Sequence, residues 1–91
     1  MKDGTPTDDD LEKVAHHIGE QWKTLGRHLG VGEPMLQETD RFYETMLVKG
    51  YEMLRLWKQR ESSAATYQVL HDALAHPLVN RQDLAEKFCV N

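Results

Sequence analysis

The run from Glu44 to Arg60 constrains this chain most, because it is the longest stretch with a clear helical period and only one glycine to interrupt it. Met46, Gly50, Met53, Leu54 and Trp57 follow one another at helical spacing, so a turn of 100° per residue lines them up as one inward stripe anchored by the tryptophan. Val48, Glu52, Arg55 and Gln59 then point the other way. A long helix with one face for a core and one for water needs other helices to cover it, and the rest of the chain supplies them.

Thr7 and the aspartates from Asp8 to Asp10 offer capping oxygens and negative charge to a first helix with apolar positions at Leu11, Val14, Ala15 and Ile18. Gly19 punctuates. Trp22, Leu25 and Leu29 mark a second helix, with Gly30 as a left-handed C-cap. Pro34 sits in the first turn of a third, where only Leu36, Thr39 and Met35 can face a core, so this helix is expected to be short and loosely held. Phe42 and Tyr43 bridge to the fourth helix, with at least one ring expected in the core. Ser62 and Ser63 read as the cap of a fifth helix carrying Tyr67, Leu70, Ala73 and Leu74, which Pro77 ends. Asn80 and Asp83 read as a capping pair for a sixth, carrying Leu84, Ala85 and Phe88. No stretch alternates as a strand does. The core is expected to include Trp22, Leu25, Leu36, Leu54, Trp57, Leu70 and Leu74. Residues 1–7, aperiodic and bearing glycine and proline, read as a flexible tail, and residues 8–91 as the domain.

At 91 residues there is room for one domain and none for a large catalytic cleft, since so short a chain buries only roughly 60–65% of its unfolded surface. A net charge of −4 disfavours nonspecific attraction to nucleic acid or anionic membrane. The single cysteine, Cys89, cannot form an internal disulfide, and no segment reads as a membrane span or signal peptide, so the expectation is a reducing, cytoplasmic setting. None of the five histidines pairs with another at helical i, i+4 spacing, and no nucleophile sits in a strained turn, so neither a metal, a cofactor nor catalysis is expected.

The combination of Leu11 with Ile18, the segment from Trp22 to Gly30, the segment from Tyr51 to Lys58, and Ala65-Thr66 ahead of Leu70 and Leu74 resembles a death domain, most closely those of adaptor proteins. The resemblance runs from about Leu11 to Phe88. It implies an all-α, six-helix antiparallel bundle of Greek-key topology that performs no chemistry and binds other death-domain proteins, such as receptor tails or adaptors, in apoptotic or innate immune signalling. It also implies self-association into helical oligomers through three asymmetric contacts. One patch on the second and third helices would comprise Arg27, Glu38, Asp40 and Arg41. A second, on the fourth helix, would comprise Val48, Glu52, Arg55 and Gln59. These two patches would meet in one contact. In another the end of the fourth helix, Lys58, Arg60 and Glu61, would meet the loop carrying His76, Asn80 and Arg81 of another copy, and the third would join the third helix to neighbouring loops.

Three positions depart from the usual family pattern. Gly32 stands where a serine or threonine cap is common, Thr39 where isoleucine or leucine is common, and Gly50 where a larger apolar residue is common. Without the resemblance, the charged residues would read as ordinary solvated surface. The alternative function is a helix-turn-helix nucleic-acid module built on the second and third helices, against which Glu33, Glu38 and Asp40 lie where phosphate would sit.

Overall fold

Threonine oxygens decide where three of the helices begin. In the computed structural model, which describes all 91 residues, Thr7 Oγ1 accepts from the Asp10 amide at 3.1 Å, Thr45 Oγ1 from Val48 at 3.2 Å and Thr66 Oγ1 from Val69 at 3.1 Å. Each satisfies an amide that the first turn leaves without a helical partner. They open α1 (Asp8–Ile18), α4 (Met46–Glu61) and α5 (Tyr67–Ala75). Between them lie α2 (Trp22–His28) and α3 (Glu33–Phe42), and α6 (Gln82–Cys89) ends the chain, giving six α-helices and no strand. Gly30, at φ 84°, closes α2 as expected: its amide reaches the Arg27 carbonyl and that of Val31 reaches Gly26, the paired bonds of a Schellman turn.

Two expected caps are displaced. Ser62 and Ser63 form a 3₁₀ turn, with Ser62 at φ 51°, so the cap of α5 falls to Thr66. Asn80 takes φ 56° and stands one residue before the N-cap position, Arg81, so α6 begins without a side-chain cap, and Asp83 pairs with the Arg81 guanidinium at 3.0 Å. The third helix is not short: its ten residues exceed α2, α5 and α6 in length.

The core forms where α1 packs against α4 and α6, α5 against α6, and α2 against α3, α4 and α5. All seven expected core residues are buried, with Trp57 1% exposed and Leu25, Leu36, Leu54, Leu70 and Leu74 fully enclosed. Of two glycines at helix crossings, one sets the distance. A methyl group at Gly50 would meet Trp22, Ile18 and Ala15 at 3.4–3.7 Å, ordinary contact, whereas one at Gly26 would stand 2.6 Å from Leu36 Cδ2 and 3.2 Å from Met53. Met46, expected inward, is 46% exposed, since it is the first residue of α4 and lies beyond the covering helices. Nor is either bridging ring buried. Phe42 ends α3 roughly 120° around from Leu36 and is 76% exposed, while Tyr43 is half-buried.

The first residues do not hang free as their composition suggests. The Lys2 amide donates to the Cys89 carbonyl at 2.9 Å, and the Tyr67 amide donates to Gly4 at 3.1 Å. Pro6 is fully buried. Beneath this strap, Tyr67 Oη donates to the buried Asp10 carboxylate at 2.5 Å, and Lys2 Nζ lies 3.5 Å from it. Burial first and the Asp10 carboxylate second push the Tyr67 hydroxyl up from its usual range.

Candidate interaction surface

The exposed Phe42 marks the mouth of a groove of about 290 Å³ between α3 and α4. Met35, Thr39, Phe42, Tyr43 and Leu56 line its wall, and Glu38, Glu52, Arg55 and Gln59 form a polar rim of both charge signs. The rim is only lightly tied: Arg55 stands 3.9 Å from Glu52, and Tyr43 Oη reaches Glu52 at 3.5 Å. Such a site can hold an apolar side chain while presenting charge of either sign to what surrounds it.

This geometry rearranges the sequence-derived patches. Glu38 was grouped with α2 and α3, and Glu52, Arg55 and Gln59 with α4, yet all four share this one groove. Val48 is exposed on α4 outside it, and Arg41 is exposed at the end of α3. Arg27 is exposed but hydrogen-bonded to Glu33, whose carboxyl this guanidinium holds below its usual range. Asp40 is not a free surface charge. Lys23 of α2 donates to it at 2.7 Å and Lys49 of α4 at 2.6 Å, making it a clamp across three helices whose carboxyl is held down to about 2, by the Lys23 bond first and the Lys49 bond second.

The remaining residues fall at two ends of the bundle. At one end Lys58 lies 3.4 Å from Asp8 of α1, in a polar cleft with Arg55, Gln59 and Ser62, and Arg60 and Glu61 are exposed beyond it. At the other end His76, Asn80 and Arg81 belong to the α5–α6 loop. Arg81 is fixed there, donating to the His17 carbonyl at 2.7 Å as well as to Asp83, which it holds below its usual range. Asn80 is exposed and His76 half-buried.

No three His, Cys, Asp or Glu side chains stand close enough to hold a metal ion, and no helix is long and apolar enough to cross a membrane. Burial pushes the Cys89 thiol up to about 11, which keeps it protonated and unreactive. Sequence reasoning missed Met35, Thr39, Phe42, Tyr43 and Leu56 as groove residues. The signal for the groove is the Phe42-Tyr43 pair at a helix junction, of which the sequence places at least one ring in the core.

Comparison with known proteins bears on what such a surface is for. A family model described as Death domain matches residues 8–88. The chain is 32% identical over 74 residues to the FAS-associated death domain protein of Bos taurus, covering 76% of this chain and 35% of that protein. It is 29% identical over 87 residues to THO complex subunit 1 of Mus musculus and of Homo sapiens, covering 96% of this chain and 13% of those proteins. The chain thus spans about a third of the bovine relative and about an eighth of the other two.

Proposed function

This chain belongs to the death domain family, and on that premise we propose that it is an adaptor or receptor-coupling module that joins other death domains in apoptotic or innate immune signalling. As a member of the family it is a protein-interaction module. The observation that carries the finer reading is the α3–α4 groove, where an exposed aromatic ring lies beside Glu38, Glu52 and Arg55. Partners would meet it through patches of different shape. Contacts between unlike patches on related subunits do not close by two-fold symmetry, so repetition builds rings or helices. The α4 face with Val48, Glu52, Arg55 and Gln59, together with Glu38 across the groove, would meet the α2–α3 side with Arg27 and Arg41. The α4 end with Lys58, Arg60 and Glu61 would meet another copy's loop with His76, Asn80 and Arg81. Exposed ion pairs contribute about 0–1 kcal/mol each, so assembly would require several contacts at once or a clustered receptor.

The clamp on Asp40 also favours this reading over the helix-turn-helix alternative. Lys23 and Lys49, the bases flanking α3, are engaged by a carboxylate rather than available to phosphate. We place this domain in the cytoplasm on the same reading.

Arg55→Glu tests the proposal. Arg55 is exposed and weakly paired, so the melting temperature should hold to within about 0.5 kcal/mol of stability while association is lost. Glu38→Lys should act alike from the other wall of the groove. Sedimentation and thermal melts decide it, and association equal to the parent in both variants would reduce these faces to solvated surface.

A further inference from the structure

The α5–α6 loop is fastened by two histidines, of which only His76 belongs to the proposed contact. His28, in the last turn of α2, stacks on His76 with ring centroids 3.8 Å apart and planes inclined by 25°. His76 Nδ1 accepts the Leu78 amide at 3.1 Å, so its lone pair is in use and the ring proton belongs on Nε2. The His76 carbonyl accepts the Val79 and Asn80 amides at 2.9 and 2.7 Å, and Val79 is buried. One residue thus holds the loop by its ring nitrogen, its ring face and its carbonyl.

We propose that the His28–His76 stack is a proton-operated latch that releases the tip of the α5–α6 loop when it is protonated. A doubly protonated imidazolium carries hydrogen on both nitrogens and can accept nothing, so protonating His76 ends the Leu78 bond as a matter of valence. It also sets a cation against the face of a second imidazole whose centroid lies 3.8 Å away. Neither ring forms an ion pair with a carboxylate. On α2 and α3, Arg27 is engaged with Glu33 and Lys23 with Asp40. On α6, Asp83 is held by Arg81, which also binds the His17 carbonyl of α1, and the His17 ring lies against Phe88. On α5 and α6, Asp72 and Glu86 flank His71 at 3.2 and 3.6 Å instead. His71 is therefore a built-in contrast, a histidine with carboxylates beside both ring nitrogens.

The latch concerns the fold, and only its effect on docking rests on the reading of this loop as a partner surface. The test uses the whole chain. Amide shifts and hydrogen exchange, corrected for intrinsic rate, are followed from about pH 7.5 to about pH 5.5. The Leu78, Val79 and Asn80 amides should shift together, with protection falling about tenfold, as expected for loss of one hydrogen bond. His76→Asn keeps an acceptor for the residue-78 amide, in the manner of an Asx turn, but does not titrate, so its loop should stay closed throughout. His28→Phe keeps a stacked ring without the second charge and should weaken the response. A flat profile in the parent, or an equal response in His76→Asn, would overturn the latch. Sedimentation at both pH values separates the two ideas: association indifferent to pH while the amides move overturns docking at this loop and leaves the latch standing.

Discussion

α3 and α4 are neighbours of similar polarity held by opposite means. α4 buries Gly50, Met53, Leu54 and Trp57 along its length. α3 buries only Leu36 and Thr39, and ion pairs join it to its neighbours, Arg27 with Glu33 at its start and Lys23 and Lys49 closing on Asp40 near its end. The difference teaches how a small bundle can keep a surface open. Apolar burial draws an element into the core, whereas a polar clamp fixes α3 at its edge and leaves Phe42 and the groove uncovered.

Trp57→Ala attacks the first kind of holding and should be the most damaging substitution, costing about 3–5 kcal/mol by denaturant or thermal melts. That is a large part of the whole stability of such a domain, and a variant melting with the parent would show that α4 is not held as described. Gly26→Ala comes next. Its new methyl would press on the enclosed Leu36 and on Met53, so a loss of about 1–3 kcal/mol is expected, with α3 amides losing protection before those of α4. Gly50→Ala should have the opposite sign. There the methyl finds ordinary contact distances, and the helix gains up to about 1 kcal/mol from alanine, read as a raised melting temperature.

Some of this contrast was legible in the sequence. The stripe of α4 and the sparse apolar face of α3 follow from local periodicity, as does the Thr7 cap beside its run of aspartates. The caps at Thr45 and Thr66 were hidden by stronger neighbouring signals, Phe42-Tyr43 and Ser62-Ser63, because a cap is defined by the backbone entering the helix and not by residue type alone. The Asp40 clamp joins partners 17 and 9 residues away, and the groove depends on how two helices meet, so neither leaves a local trace. The charged residues of the site could be named, but not which were committed to the fold.

Acid titration should give the smallest effect and the cleanest separation of the two helices. Asp40 titrates at about 2 in the folded chain against an ordinary 3.8, so its clamp is intact above the ordinary value and is lost as pH falls from 3.8 toward about 2. In that window α3 amides should lose protection severalfold while those around Leu54 hold, as measured by hydrogen exchange. Asp40→Asn should abolish the α3 response. Equal loosening of both helices would erase the distinction drawn here.

The strap at the start of the chain has a mechanical consequence. Lys2 bonds to the Cys89 carbonyl, and Asn91 Nδ2 reaches the Met1 carbonyl at 3.4 Å, so residues at the two extremities lie side by side. A pulling force between them would load this short seam first. The strap would peel, and α6 would take tension before α4 or its tryptophan felt any. Load applied across this seam therefore meets the strap before it meets the core.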